Sequence, residues 1–217
     1  MLKIGNGHFY HTDALQLMQQ LPPECVDCIV TDPPYPTISG GKNSAPGYGF
    51  RESVLRENDG HIFQFNDCSA SEYLPLMYRV LRDGGHCYTM TNVLNLRDTL
   101  NVAAAAGFQL HNLLIWQKNT GTANRWYMKF AEYTLFLRKG PARTINNPGS
   151  KAHPTEKPVE LMEHYICNST QPSDVVLDPF AGSGATLVAA QRTNRRWIGC
   201  EIDPMYYWPT AARIAAL

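Results

Sequence analysis

No charge of either sign predominates in this chain: nineteen lysines and arginines face nineteen aspartates and glutamates over 217 residues. That balance excludes a uniformly basic nucleic-acid coat and an acidic tail, and leaves a local basic face open. No stretch approaches the roughly 20 apolar residues that span a bilayer. Met1 to Tyr10 holds His, Asn and Gly where a secretory signal needs an apolar core. Repeats and low-complexity runs are absent. Metal-ligand patterns are also missing: Cys25 and Cys28 form a lone CxxC, with no second CxxC and no paired His. Two small residues entering a buried strand explain that pair better than a redox motif does. The expectation is a cytoplasmic protein with reduced thiols, no metal and no membrane partner.

The composition supports one folded domain over 1–217. Aromatics at 11% and charge at 18% argue against disorder. A chain of this length buries roughly 70% of its unfolded surface and needs no staple. Short apolar runs alternate with amphipathic stretches, the pattern of an α/β sheet. Strands are expected at Val26–Thr31, His86–Met90, Leu110–Gln117, Tyr133–Leu137, Val175–Leu177 and Trp197–Cys200. Helices are expected at Ala14–Leu21, Ser71–Leu81, Leu96–Ala106, Val159–Asn168 and Thr186–Thr193. Residues 36–66 and 138–156 carry no regular pattern, and loops of that length are usually functional.

The charge is unevenly spread. Residues 117–157 hold eight basic side chains against two acidic ones, whereas 1–116 hold seven against eleven and 158–217 four against six. The basic segment also contains Trp116 at its edge, Trp126, Tyr127 and Phe130. Cations mixed with aromatics suit a phosphate backbone and unstacked bases. Lys118, Arg125, Lys129, Arg138, Lys139 and Arg143 are the expected nucleic-acid contacts, on loops near 36–66 and 118–152.

The stretch from Val175 to Asp203 has a layout of its own. A buried strand runs into Asp178, a glycine turn follows (Phe180-Ala181-Gly182-Ser183-Gly184), then a helix, then a strand ending at Glu201. This is the layout of a nucleotide-binding βαβ unit. Glycines let the backbone approach a ligand, and an acid ending the second strand accepts hydrogen bonds from both ribose hydroxyls. The turn is shorter than GxGxxG, which suits a dinucleotide pyrophosphate poorly. It leaves room for an amino-acid chain, which fits S-adenosylmethionine.

A second signal is Thr31-Asp32-Pro33-Pro34-Tyr35, directly after an apolar strand. The exocyclic amine of a base is a poor nucleophile, because its lone pair is delocalised into the ring. Two acceptors gripping its hydrogens favour a pyramidal nitrogen with the lone pair directed outwards. Asp32 supplies a carboxylate and Pro33 a carbonyl in rigid geometry. Pro34 brings no competing N–H, and Tyr35 offers a stacking face. A methyl sulfonium in line then needs only positioning.

Together these motifs resemble the amino-methyltransferases of DNA, whose signatures are DPPY and FxGxG. The catalytic motif precedes the cofactor motif, which resembles the circularly permuted β group. The chain ends 16 residues after Glu201, enough for one helix and no further strand. The missing strand must therefore come from the N-terminus, where residues 8–13 precede a helix. The resemblance then places Asp13 beside the adenine moiety. It also likens His153-Pro154-Thr155-Glu156-Lys157-Pro158 to the segment covering the methionine end of the cofactor, with Thr155 and Lys157 in contact. Ile115-Trp116-Gln117-Lys118 and Glu132-Tyr133 resemble framework motifs. The implied fold is α/β: a Rossmann-like, doubly wound, mostly parallel sheet, circularly permuted, with an antiparallel edge hairpin.

The implied activity is methylation of adenine N6 in duplex DNA, because DPPY is typical of that base and SPPY of cytosine N4. The implied catalytic set is Asp32, Pro33, Pro34 and Tyr35. The cofactor set is Asp13, Asp32, Thr155, Lys157, Asp178, Phe180, Ala181, Gly182, Ser183, Gly184 and Glu201. The interval that usually carries target recognition in the β group, here about 138–152, is very short. A short or relaxed site is expected, as in a phage or solitary enzyme. Rival readings are a cytosine-N4 DNA methyltransferase, an RNA methyltransferase, a small-molecule methyltransferase, and a non-catalytic nucleic-acid-binding protein. The resemblance leaves a homodimer open.

Overall fold

The computed structural model describes residues 1–34, 37–38, 56–57, 68–122, 129–142 and 159–217. The strands are β1 (Leu2–Ile4), β2 (Gly7–His11), β3 (Val26–Thr31), β4 (Thr37–Ile38), β5 (Arg56–Glu57), β6 (Leu81–Thr91), β7 (Gln109–Thr122), β8 (Lys129–Arg138), β9 (Val175–Asp178) and β10 (Arg196–Glu201). The helices are α1 (Ala14–Gln20), α2 (Ala70–Val80), α3 (Leu96–Ala105), α4 (Val159–Ser169), α5 (Ala185–Arg192) and α6 (Pro204–Ala215). Eight strands form one sheet in the order β1-β2-β10-β9-β3-β6-β8-β7. The five from β2 to β6 are parallel neighbours, with an antiparallel pair at each edge.

The buried strands are apolar on both faces, as a parallel sheet requires. Cys28, Val30, Tyr88, Phe136 and Val176 pack with α4, α5 and α6. Ile29, Cys87, Leu135, Leu137 and Leu177 pack with α1, α2 and α3. Strict alternation along β3 would put Val26 on the face of Cys28, yet it joins the Ile29 cluster. A register shift between Val26 and Cys28 turns that end of the strand over.

The sequence places every one of the expected sheet strands and helices within a few residues. Three departures have local causes. The long hairpin extends past the expected end of its first strand, so that 118–122 and 129–132 are strand rather than loop, closing at the pair Thr122↔Lys129. Within 36–66, Thr37–Ile38 and Arg56–Glu57 form a small antiparallel ribbon that short, polar sequence gives no periodicity to reveal. Leu2–Ile4 adds a second antiparallel edge beside β2, too short to show a pattern.

β2 lies beside β10 in parallel, with His11 opposite Glu201. The neighbour of β10 on that side thus comes from the N-terminal segment. Among the described residues no helix is long and apolar enough to cross a membrane, and no cluster of metal-ligating side chains occurs.

Candidate active site

Five parallel strands deliver their carboxyl ends to one edge of the sheet. After β9 the chain crosses to α5 on one face, and after β3 it continues to α2 on the other. Between β9 and β3 the winding thus changes side, and ligands of doubly wound sheets bind at such a point. Asp32-Pro33-Pro34 leaves the end of β3, and the turn Phe180–Gly184 leaves the end of β9. Glu201 closes β10, and Asp13 follows β2. The described members of the expected catalytic and cofactor sets are thus at one edge.

The glycine turn is fastened from three sides. The Ala181 N–H donates to the Cys200 carbonyl at 2.8 Å, and the Gly184 N–H to the Ala181 carbonyl at 2.7 Å. The Gly182 N–H donates to Glu201 Oε2 at 2.8 Å. From α6, the Thr210 hydroxyl donates to the Gly182 carbonyl at 2.8 Å and Arg213 to the Ser183 carbonyl at 3.0 Å. Gly184 sits at φ +79° with Thr210 Cγ2 only 2.5 Å from where a Cβ would lie. Gly182, at φ +50°, faces nothing within 4 Å. The first glycine of the turn is open to a ligand, and the second is needed for close helix packing.

Glu201 is half-buried and accepts two backbone donors, Gly182 N–H on Oε2 and Asp203 N–H on Oε1 at 2.8 Å. Each oxygen retains a lone pair for a ligand hydroxyl. Burial raises its carboxyl above the ordinary range, and the backbone donors oppose that rise. Asp178 is buried outright, and burial pushes its carboxyl up to about 6 against the pull of the Thr31 hydroxyl, the Phe180 N–H and the Thr186 hydroxyl. Asp13 is the N-cap of α1, with Oδ1 accepting from Gln16 N–H at 3.0 Å. The ends of β2 and β10 are knitted by Cys200 Sγ donating to the Thr12 carbonyl at 2.8 Å and His11 Nε2 donating to the Ile202 carbonyl at 2.9 Å. Pro33 is buried, and Asp32 and Pro34 are half-buried. Phe180 meets the edge of Tyr73 at 5.4 Å between ring centroids.

The expected DNA contacts divide by their place on the long hairpin. β8 runs antiparallel to β6, with Tyr133 opposite Thr91 and Arg138 opposite His86. Lys118 and Lys129 lie beyond Thr91, at the site end. Arg138 and Lys139 lie at the amino end of β6, the opposite end of the sheet. Lys139 differs from the others, because its ammonium turns inward. It donates to the carbonyls of Tyr78 at 3.0 Å and Leu81 at 2.8 Å and pairs with Glu24 at 3.1 Å. It closes the C-terminus of α2, where a cation is favoured. Arg138 donates to the Gly140 carbonyl beside it. A count of charges along the chain carries no information on which end of a strand faces the site. Tyr35, Arg125, Arg143, Thr155 and Lys157 lie outside the described residues.

A mostly parallel sheet with a glycine turn, a strand-ending acid and a DPP strand end at one edge defines a Rossmann-like fold of the nucleotide-binding kind. A family model described as DNA methylase, of the N6 and N4 methyltransferases, matches residues 138–212. The putative methylase YubD of Escherichia coli is 31% identical over 97% of this chain and 91% of its own length. The type II methyltransferase M2.DpnII of Streptococcus pneumoniae is 27% identical, over 95% and 88%. The structure of TTHA0409, a putative DNA modification methylase of Thermus thermophilus complexed with S-adenosylmethionine, superposes with a TM-score of 0.72 at 24% identity, covering 97% of this chain and 93% of that one. The chain belongs to the DNA methylase family.

Proposed function

We propose that this DNA methyltransferase transfers a methyl group from S-adenosylmethionine to N6 of an adenine turned out of duplex DNA. The observation that carries the reading is the adjacency of β3 and β9, which brings Asp32-Pro33 and the glycine turn to the same point of the sheet edge. The site fits the cofactor on its own chemistry. Open space faces Gly182, Glu201 retains acceptor capacity for hydroxyls, and the carboxylates at this edge suit a cationic sulfonium. When bound, S-adenosylmethionine supplies an electrophilic methyl group.

The chain's residues do the rest by placement. Glu201 holds the ribose hydroxyls and Asp13 lies beside the cofactor's adenine. The turn Phe180–Gly184, with Asp178 beneath it, takes the amino-acid end, and Thr155 and Lys157 take its carboxylate. Asp32 and the Pro33 carbonyl accept the two amine hydrogens of the target base, so that its lone pair faces the methyl. Tyr35 stacks on the base, which must leave the helix because the amine is unreachable within the stack. Lys118, Arg125, Lys129 and Arg143 contact phosphates. The strand order, with β2 completing the sheet beside β10, supports a permuted chain.

The base itself is assigned from DPPY alone, since the matching family covers N6 and N4 transfer. The test is methyl transfer from labelled S-adenosylmethionine to unmethylated duplex DNA, with digestion to nucleosides and mass spectrometry. N6-methyladenine is the expected product. N4-methylcytosine would keep the placement argument and overturn the base. No transfer would overturn the reading.

A further inference from the structure

The main-chain ladder between β3 and β9 is short, running over Cys28↔Val176 and Ile29↔Leu177. Beyond it the two chains part towards opposite faces of the sheet, and side chains take over the connection. The Thr186 hydroxyl, on the first turn of α5, donates to the Val30 carbonyl at 3.2 Å. One residue on, the Thr31 hydroxyl donates to Asp178 Oδ1 at 2.7 Å. The same oxygen accepts the Phe180 N–H at 3.1 Å, at the start of the glycine turn. Thr31, Thr186 and Asp178 are buried at 1, 3 and 3% exposure. Water does not compete there, and losing one donor leaves a buried carboxylate short of a partner.

We propose that Thr31 is a positioning residue for methyl transfer. By gripping Asp178, its hydroxyl fixes the end of β3, and with it Asp32 and Pro33, at a set distance from the glycine turn. The proposal rests on the function assigned above. It assigns Thr31 an effect on the rate of transfer rather than on cofactor binding. The turn keeps its own fastenings without Thr31, from Phe180 N–H to Asp178, Ala181 N–H to Cys200 and Gly182 N–H to Glu201. What Thr31 supplies, one residue beyond the Thr186 bond to Val30, is the tie nearest Asp32, and a displacement of about 1 Å between reacting groups costs on the order of 100-fold.

The experiment compares the parent chain with Thr31→Val, which keeps the shape and removes the hydroxyl, and Thr31→Ser, which keeps the hydroxyl. Single-turnover transfer to duplex DNA is read beside calorimetric binding of S-adenosylmethionine. Expected is a transfer rate lowered roughly 10- to 100-fold in the valine variant, with cofactor Kd within about threefold, and recovery of most of the rate by serine. A valine variant at the parent rate would overturn the proposal. So would a serine variant as slow as valine, because the loss would then belong to the packing of the γ-methyl. If valine prevents folding, Thr31→Ala against Thr31→Ser gives the same comparison. Absence of transfer by the parent chain removes the functional reading and this one with it. Transfer by the parent with an unaffected valine variant removes this one alone.

Discussion

Two carboxylates on neighbouring strand ends illustrate how burial divides labour among chemically identical groups. Asp32 stands half-buried just past the end of β3, where the proposed function has it meet a base amine. Asp32→Ala is expected to bind S-adenosylmethionine as the parent does and to lose turnover by at least about 100-fold. Calorimetry beside a transfer assay checks both halves, and a near-parent rate would sink the amine-orienting role. Asp178 lies beneath, with its carboxyl pushed up to about 6 by burial. An unfolded Asp titrates near about 3.9, so between about pH 4 and 6 the native state holds the extra proton. Stability therefore falls as pH rises through that window, by on the order of 3 kcal/mol for this group. Asp178→Asn keeps an acceptor for Thr31 and the Phe180 N–H. Its Tm should lose most of that fall, leaving the smaller part due to Glu201, whose carboxyl is also raised. Thermal melts from pH 4 to 7 that are parallel to the parent's would contradict this account.

At the scale of elements, the glycine turn and the long hairpin each combine two roles that substitution can separate. An alanine at Gly184 meets a left-handed φ of +79° and Thr210 at 2.5 Å, so α6 must shift. An alanine at Gly182 meets only its φ of +50°, with open space around it. Left-handed strain costs roughly 1–2 kcal/mol at either site. Gly184→Ala should therefore lower Tm well beyond Gly182→Ala, whereas Gly182→Ala should weaken cofactor binding at nearly parental stability. Equal Tm losses would show that the α6 contact matters little. In the hairpin, Lys139 serves α2, whereas Lys118 and Lys129 lie on the stretch of paired strand at the site end. Lys139→Met should cost roughly 1.5–3 kcal/mol of stability and leave DNA affinity unchanged. Lys118→Glu and Lys129→Glu should weaken DNA binding and flatten its dependence on salt, measured by fluorescence anisotropy across a salt series.

For the molecule as a whole, neutrality overall with a cationic segment from 117 to 157 predicts DNA binding that is local and steeply dependent on salt. The short interval 138–152 leaves little chain for reading bases. We expect modification at a short or relaxed site, and a methylome of an expressing strain confined to one strict six-base-pair site would refute that.

The strands, the helices and the two motifs were legible because they are local. A buried strand ending in Asp-Pro-Pro, or in Asp and a glycine turn, needs no partner to be recognised. Three things were not legible. Which end of the hairpin Arg138 and Lys139 occupy follows from antiparallel register, which charge counts do not contain. The inward turn of Lys139 follows from unsatisfied carbonyls at the end of α2, a helix about 60 residues earlier in the chain. Thr31 reads as one more strand residue until the parallel pairing of β3 with β9 sets its hydroxyl 2.7 Å from Asp178, 147 residues away. Backbone propensity and motif chemistry act over a few residues and are written in order along the chain. Contacts between strand ends exist only once the sheet has assembled, and the tie between the two halves of this site is of that second kind.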